Sequence, residues 1–177
     1  MEKKSNLREL IESIGFAFLI VVLLKAFVFF PTKVEGASME PTLHQGDKLI
    51  VSKIVTYTHD LQRGDIVVIK TDDYYVKRII GLPGDLVEVK NDQLYINGRV
   101  QKEPYLTENR KQASQLMMQL TGNFGPVLIP KDEVFVMGDN RLVSRDSRNG
   151  LGTIHKTDIL GKVKGVYYPF ENIRMPK

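Results

Sequence analysis

Three short stretches of this 177-residue chain carry side chains suited to acyl transfer. The first is Ser38, in Glu35-Gly36-Ala37-Ser38-Met39-Glu40-Pro41, where a glycine before it and a proline after it keep the backbone irregular and exposed. The second is Lys77, in Tyr75-Val76-Lys77-Arg78-Ile79-Ile80-Gly81. Alternation along a strand puts Lys77 on one face with Tyr75 and Ile79. An amine held among apolar groups gives up its proton more easily, which turns lysine into a general base near neutral pH. The third stretch, Gly138 to Arg148, crowds Asp139, Arg141, Ser144, Asp146, Ser147 and Arg148 into eleven residues. That density suits a polar network that holds a site together.

A serine nucleophile needs a base, and a neutral lysine can replace the usual histidine. Each stretch also has a plainer reading. Ser38 could cap a turn, Lys77 could face water from an edge strand, and the third stretch could be a solvated loop. Together they favour an enzyme.

The elements that must position these groups are of two kinds. An apolar run from Ile14 to Phe30, broken only by Lys25, is close to the ~20 residues that a bilayer-spanning helix needs. We expect a cytoplasmic segment over 1–12, a transmembrane anchor over 13–31 ended by Pro31, and an extracytoplasmic domain over 32–177. Lys3, Lys4 and Arg8 precede the run and Lys33 alone follows it closely, which favours the N-terminus inside. Lys25 can snorkel from the far end of the span. Seven residues separate Phe30 from Ser38, a reach of about 25 Å at most.

Beyond Thr32 the pattern changes to short β-branched runs between turns. Strands are predicted at Lys48–Ile54, Ile66–Lys70, Tyr74–Ile80, Leu86–Lys90, Gln93–Ile96, Val134–Met137 and within Gly161–Tyr168. The fold class is therefore mainly β, a Greek-key-like barrel or sandwich with one N-terminal transmembrane helix. Between 101 and 130 the strand signal lapses, which suggests a small insertion or cap with a short helix at Gln112–Leu120.

Composition removes several function classes. With no cysteine there is no disulfide, no thiolate metal site and no cysteine nucleophile. His44, His59 and His155 lie far apart, without metal-ligand spacing, and read as surface or structural residues. No metal or cofactor is expected, since phosphate-binding and dinucleotide glycine motifs are also missing. A net charge of +4 suits an anionic lipid surface and is too mild for nucleic acid.

In order along the chain, Ser38-Met39-Glu40-Pro41-Thr42-Leu43, Arg63-Gly64-Asp65-Ile66-Val67-Val68, Lys77 to Asp85, and Gly138-Asp139-Asn140-Arg141 with Ser144, Asp146, Ser147 and Arg148 resemble the bacterial type I signal peptidases of the small, single-anchor Gram-positive form. The resemblance implies a membrane-bound serine endopeptidase with a Ser-Lys dyad. Ser38 would attack the scissile carbonyl, Lys77 would take its proton, and Ser144 would hydrogen-bond and orient the lysine. Asp139, Asp146, Arg78 and Arg148 would form supporting ion pairs. Some relatives carry a hydroxyl donor for the oxyanion where this chain has Gly36, so the Ser38 backbone N–H would have to serve.

Implied substrates are exported preproteins with small residues at the first and third positions before the cut. The apolar stretches Ile66–Ile69 and Ile79–Leu82 are candidates to line the pockets for them. Membrane lipid and, by proximity, Sec-type translocation machinery are the other implied partners, with the enzyme a monomer in the bacterial cytoplasmic membrane and its catalytic domain on the outer face. A self-cleaving repressor-type protease would need a DNA-binding helix pair where this chain has an apolar run. A catalytically silent, membrane-tethered binding or assembly protein on the same fold is the alternative from another class.

Overall fold

A computed structural model describes residues 2–58 and 60–176, with side chains described for all of these but 2–6 and 24–27. The side chains of Lys3, Lys4 and Lys25, and all of His59, lie outside that description.

Helix α1 (Glu2–Phe27) opens the chain and runs into strand β1 (Phe29–Lys33). From Phe18 to Leu23 six consecutive apolar side chains are exposed, enough to cover every face of a helix with 3.6 residues per turn. Among the described residues no helix is long and apolar enough to cross a membrane. The expected anchor over 13–31 also ends too late, because the helix stops at Phe27 and Pro31 lies inside β1. Pro31 is tolerated there because β1 is a sheet edge, where a missing N–H breaks no ladder.

The body is mainly β, as expected. Strand β2 (Lys48–Ser52) is followed by the short helix α2 (Ile54–Thr58), then β3 (Ile66–Lys70), β4 (Tyr74–Gly81), β5 (Leu86–Lys90), β6 (Gln93–Ile96) and β7 (Arg99–Val100). Helix α3 (Thr107–Gln115) precedes β8 (Phe124–Leu128), β9 (Glu133–Met137), β10 (Ile154–His155) and β11 (Ile159–Tyr168). A seven-stranded antiparallel sheet runs β1-β2-β11-β3-β4-β9-β10, and a four-stranded one runs β7-β6-β5-β8. Ile80, Phe135 and Met137 of the first pack against Val87, Val89, Leu94 and Ile96 of the second and join the two in one apolar cluster.

All seven stretches expected as strands are strands, with ends moved by at most two residues. The segment 101–130 holds a strand that its Gly125-Pro126 concealed, β8, which is again an edge. Its helix lies at Thr107–Gln115 and not at Gln112–Leu120. Leu106, Asn109 and Ala113 are buried at i, i+3 and i+7, and Met117 leaves the helix at φ 54°.

Register decides what β4 offers the site. It lies between β3 and β9, with Lys77 opposite Val67 and Arg78 opposite Ile66 and Met137. Lys77 is therefore on a central strand, and the edge-strand reading of it fails.

Candidate active site

Alternation along β4 sends Lys77 and Arg78 to opposite faces of the sheet. The Lys77 side of it meets the turn between β1 and β2, where the Nζ of Lys77 lies 2.7 Å from the Oγ of Ser38. Lys77 is only 2% exposed. Burial lowers its pKa from 10.5 to about 8, against the opposing pull of the Asp146 and Asp139 carboxylates. The Tyr75 ring lies 5.6 Å from the amine. A hydroxyl beside an amine that is partly neutral near pH 8 has the distance and the protonation that nucleophile–base chemistry requires.

On the other face, Arg78 makes a two-pronged ion pair with Asp139 at 2.8 and 2.6 Å and donates to Gly64 O at 2.9 Å. Both side chains are buried. Thr42, four residues past Ser38, donates its hydroxyl to the same Asp139 at 2.5 Å. The Asn140 N–H donates to Ser38 O at 3.0 Å. Asp139-Asn140 is thus the floor on which the serine turn rests.

Asp146 is the other buried carboxylate that acts on the Lys77 amine. Burial pushes it up, but the Arg148 guanidinium at 2.9 Å and the Gly138 N–H at 3.0 Å outweigh that and hold it below the usual carboxylate range. Asp139, Asp146, Arg78 and Arg148, expected to form ion pairs without a stated pairing, do so as Arg78–Asp139 and Arg148–Asp146. Ser144 corrects one expectation. Its buried hydroxyl stands near Asp146 but, among the described residues, has no hydrogen-bond partner, so the bond to the Lys77 amine is not made here. Ser144 lies instead against Gly138, where a Cβ would collide with the Ser144 hydroxyl and with Ser38 O. Only glycine lets the two segments approach so closely.

A cleft of about 780 Å³ opens in front of the pair, lined in part by Gly36, Ala37, Val68, Val76 and Val143. Gly36 sits on its wall at φ 79° and offers no side chain. Of the apolar stretches expected to line pockets, Val68 lines this cleft and none of Ile79–Leu82 does, Ile79, Ile80 and Gly81 being buried. His44 and His155 are exposed. Among the described residues no group of His, Cys, Asp or Glu could hold a metal ion.

Residues 7–168 match the family described as signal peptidase, peptidase S26. This chain belongs to that family. It is 52% identical over 175 residues to a signal peptidase I of Bacillus licheniformis, covering 97% of this chain and 94% of that one. It is also 52% identical to signal peptidase I T of Bacillus subtilis strain 168, covering 94% and 88% of the two chains. A crystal structure of a signal peptidase I from Enterococcus faecalis V583 superposes with a TM-score of 0.54 at 33% identity, over 58% of this chain and 96% of that one.

Around Ser38 and Lys77 the sequence reading missed a second group of residues. Glu103 accepts from Arg141 in a buried ion pair and from Arg110 at 3.2 Å. Tyr105 lays its ring 4.0 Å from the Arg78 guanidinium, and Asn109 reaches two backbone carbonyls beside the serine turn. All of these but Arg141 belong to the segment 101–130, to which no chemistry was assigned. Their only signal was a Glu, Tyr, Asn and Arg within eight residues, a mixture that also fits a solvated surface.

Proposed function

We propose that this S26 peptidase removes signal peptides from exported preproteins with Ser38 as nucleophile and Lys77 as general base. The observation that carries the assignment is a buried amine 2.7 Å from a serine hydroxyl at the mouth of a cleft. In its neutral form Lys77 accepts the Ser38 proton as Oγ attacks the scissile carbonyl. The ammonium then gives that proton to the leaving amine, which breaks the peptide bond and leaves an ester on Ser38. Water attacks the ester, losing its proton to Lys77, and the ammonium returns that proton to Ser38 Oγ as the ester bond breaks and the carboxyl product leaves. The Ser38 backbone N–H stabilises the oxyanion, since Gly36 supplies no hydroxyl.

Small residues before the cut fit shallow walls such as Val68 and Val76, which exclude bulk by overpacking. The apolar surface of α1, exposed on all faces, supports its residence in the membrane as a single N-in anchor, with 32–177 forming the outer, monomeric domain near the Sec-type exit. A silent tether would have no need of a buried base. Processing of a preprotein by membranes that hold the wild-type, Ser38→Ala or Lys77→Ala enzyme tests the dyad. Cleavage by either variant at the wild-type rate refutes it.

A further inference from the structure

Asn109 is a buried polar side chain that the dyad itself leaves unused. Its Nδ2 donates to Glu40 O at 2.9 Å and to Asp139 O at 2.8 Å. Those carbonyls belong to segments nearly a hundred residues apart. Glu40 lies two residues past Ser38, and Asp139 precedes the residue whose N–H holds Ser38 O. A primary amide carries two N–H groups on one atom, whereas a hydroxyl has one and a carboxylate none. With two carbonyls as partners the NH₂ end must face them, which settles the orientation of the amide.

The helix that carries Asn109 is itself tied to the site. Glu103, just before α3, forms its buried ion pair with Arg141, and Tyr105 stacks on the Arg78 that grips Asp139. Three segments therefore converge on one point, and Asn109 is the side chain that spans the other two.

We propose that Asn109 is a positioning residue for the nucleophile turn, holding Glu40 against Asp139 so that Ser38 stays within reach of Lys77. The inference rests on the dyad reading. Without the staple the turn swings away from its floor, Oγ withdraws from the amine, and water reaches Lys77. Turnover should then fall while substrate binding along the cleft is kept. The midpoint of the pH profile should rise from about 8 towards 10.5 as burial of the amine is relieved.

The experiment uses the full-length enzyme in membranes with a preprotein substrate, and compares Asn109→Asp, Asn109→Ala, Lys111→Ala and Ser38→Ala. Lys111 is an exposed neighbour on α3 and serves as the control. Asn109→Asp keeps the shape and replaces both donors by an acceptor. The expected result is a loss of about 10- to 100-fold in kcat for both Asn109 variants, KM within about twofold, and an upward-shifted pH midpoint. Lys111→Ala should match the wild type.

Three results would overturn the proposal. They are wild-type kcat in either Asn109 variant, a lowered kcat with an unmoved pH midpoint, and failure of both variants to fold, which would make Asn109 a folding residue only. Residual cleavage by Ser38→Ala would instead refute the dyad, so the two failures can be told apart.

Discussion

The depressed pKa of Lys77 has a cost in stability and a gain in rate that can be measured on the same protein. At 10.5 an exposed lysine would be about 0.03% neutral at pH 7, whereas at about 8 it is about 9% neutral there and about 91% at pH 9. Cleavage should therefore rise about tenfold from pH 7 to pH 9 with a midpoint near 8. The gap between 10.5 and about 8 corresponds to about 3 kcal/mol, by which burial disfavours the ammonium. Because the folded value is the lower one, the unfolded chain binds more protons between the two values. Stability consequently climbs with pH from about 8 to 10.5, and below 8 the full penalty applies.

Replacing Lys77 by methionine removes that penalty while keeping most of the side-chain volume. The variant should be inactive and, at pH 7, more stable than the wild type by up to about 3 kcal/mol, an advantage that fades above pH 8. Chemical denaturation of both proteins at pH 7 and pH 10, paired with the pH–rate profile of the wild type, makes the test. A rate midpoint near 10.5, or a stability difference that does not change with pH, refutes the account of a buried base.

Asp146→Asn should move the rate midpoint to lower pH, because the Asp146 carboxylate holds the ammonium and its loss leaves Arg148 as an uncompensated cation nearby; the pH–rate profile reads this. Asp139→Asn breaks the two-pronged pair with a buried Arg78 and should cost about 3–5 kcal/mol in denaturant unfolding. Gly138→Ala drives a methyl into the Ser144 hydroxyl and Ser38 O and should cost about 1–3 kcal/mol along with most of the activity, read by unfolding and by preprotein cleavage. The double variant Ser38→Ala/Lys77→Ala should be no slower than Ser38→Ala alone, since the two side chains act as one unit.

What could be read in advance depended on how local the signal was. The β-branched apolar runs in Ile66–Lys70 and Tyr74–Gly81 are a property of a few neighbouring residues bounded by turns, so these strands were visible. Ser38 and Lys77, which lie within hydrogen-bond distance of each other, could be singled out because each stands in a short, distinctive context. Strands β1 and β8 were hidden by Pro31 and Pro126, since only the finished sheet reveals that both are edges. Asn109 was invisible for a stronger reason. Its partners Glu40 and Asp139 are 69 and 30 residues away, and an asparagine on a short polar helix looks the same whether it faces water or two carbonyls. The lack of a bond from Ser144 to the Lys77 amine was equally illegible, because the direction of a buried hydroxyl is set by the packing around Gly138 and Ser38 rather than by its neighbours in the chain.

The join between α1 and the sheet carries a consequence for how such an enzyme can vary. β1 pairs with β2 residue by residue from Phe29 to Lys33, and the Lys53 N–H holds Val28 O at 2.7 Å. The serine turn therefore hangs from a fixed strut about 16 Å long rather than from a leash. An extra residue in a leash adds slack. An extra residue in this strut reverses which side chains face the core, turning Phe30 outward. If α1 sits in the membrane, the height of the Ser38 turn above it comes in whole strand periods and is not open to gradual adjustment.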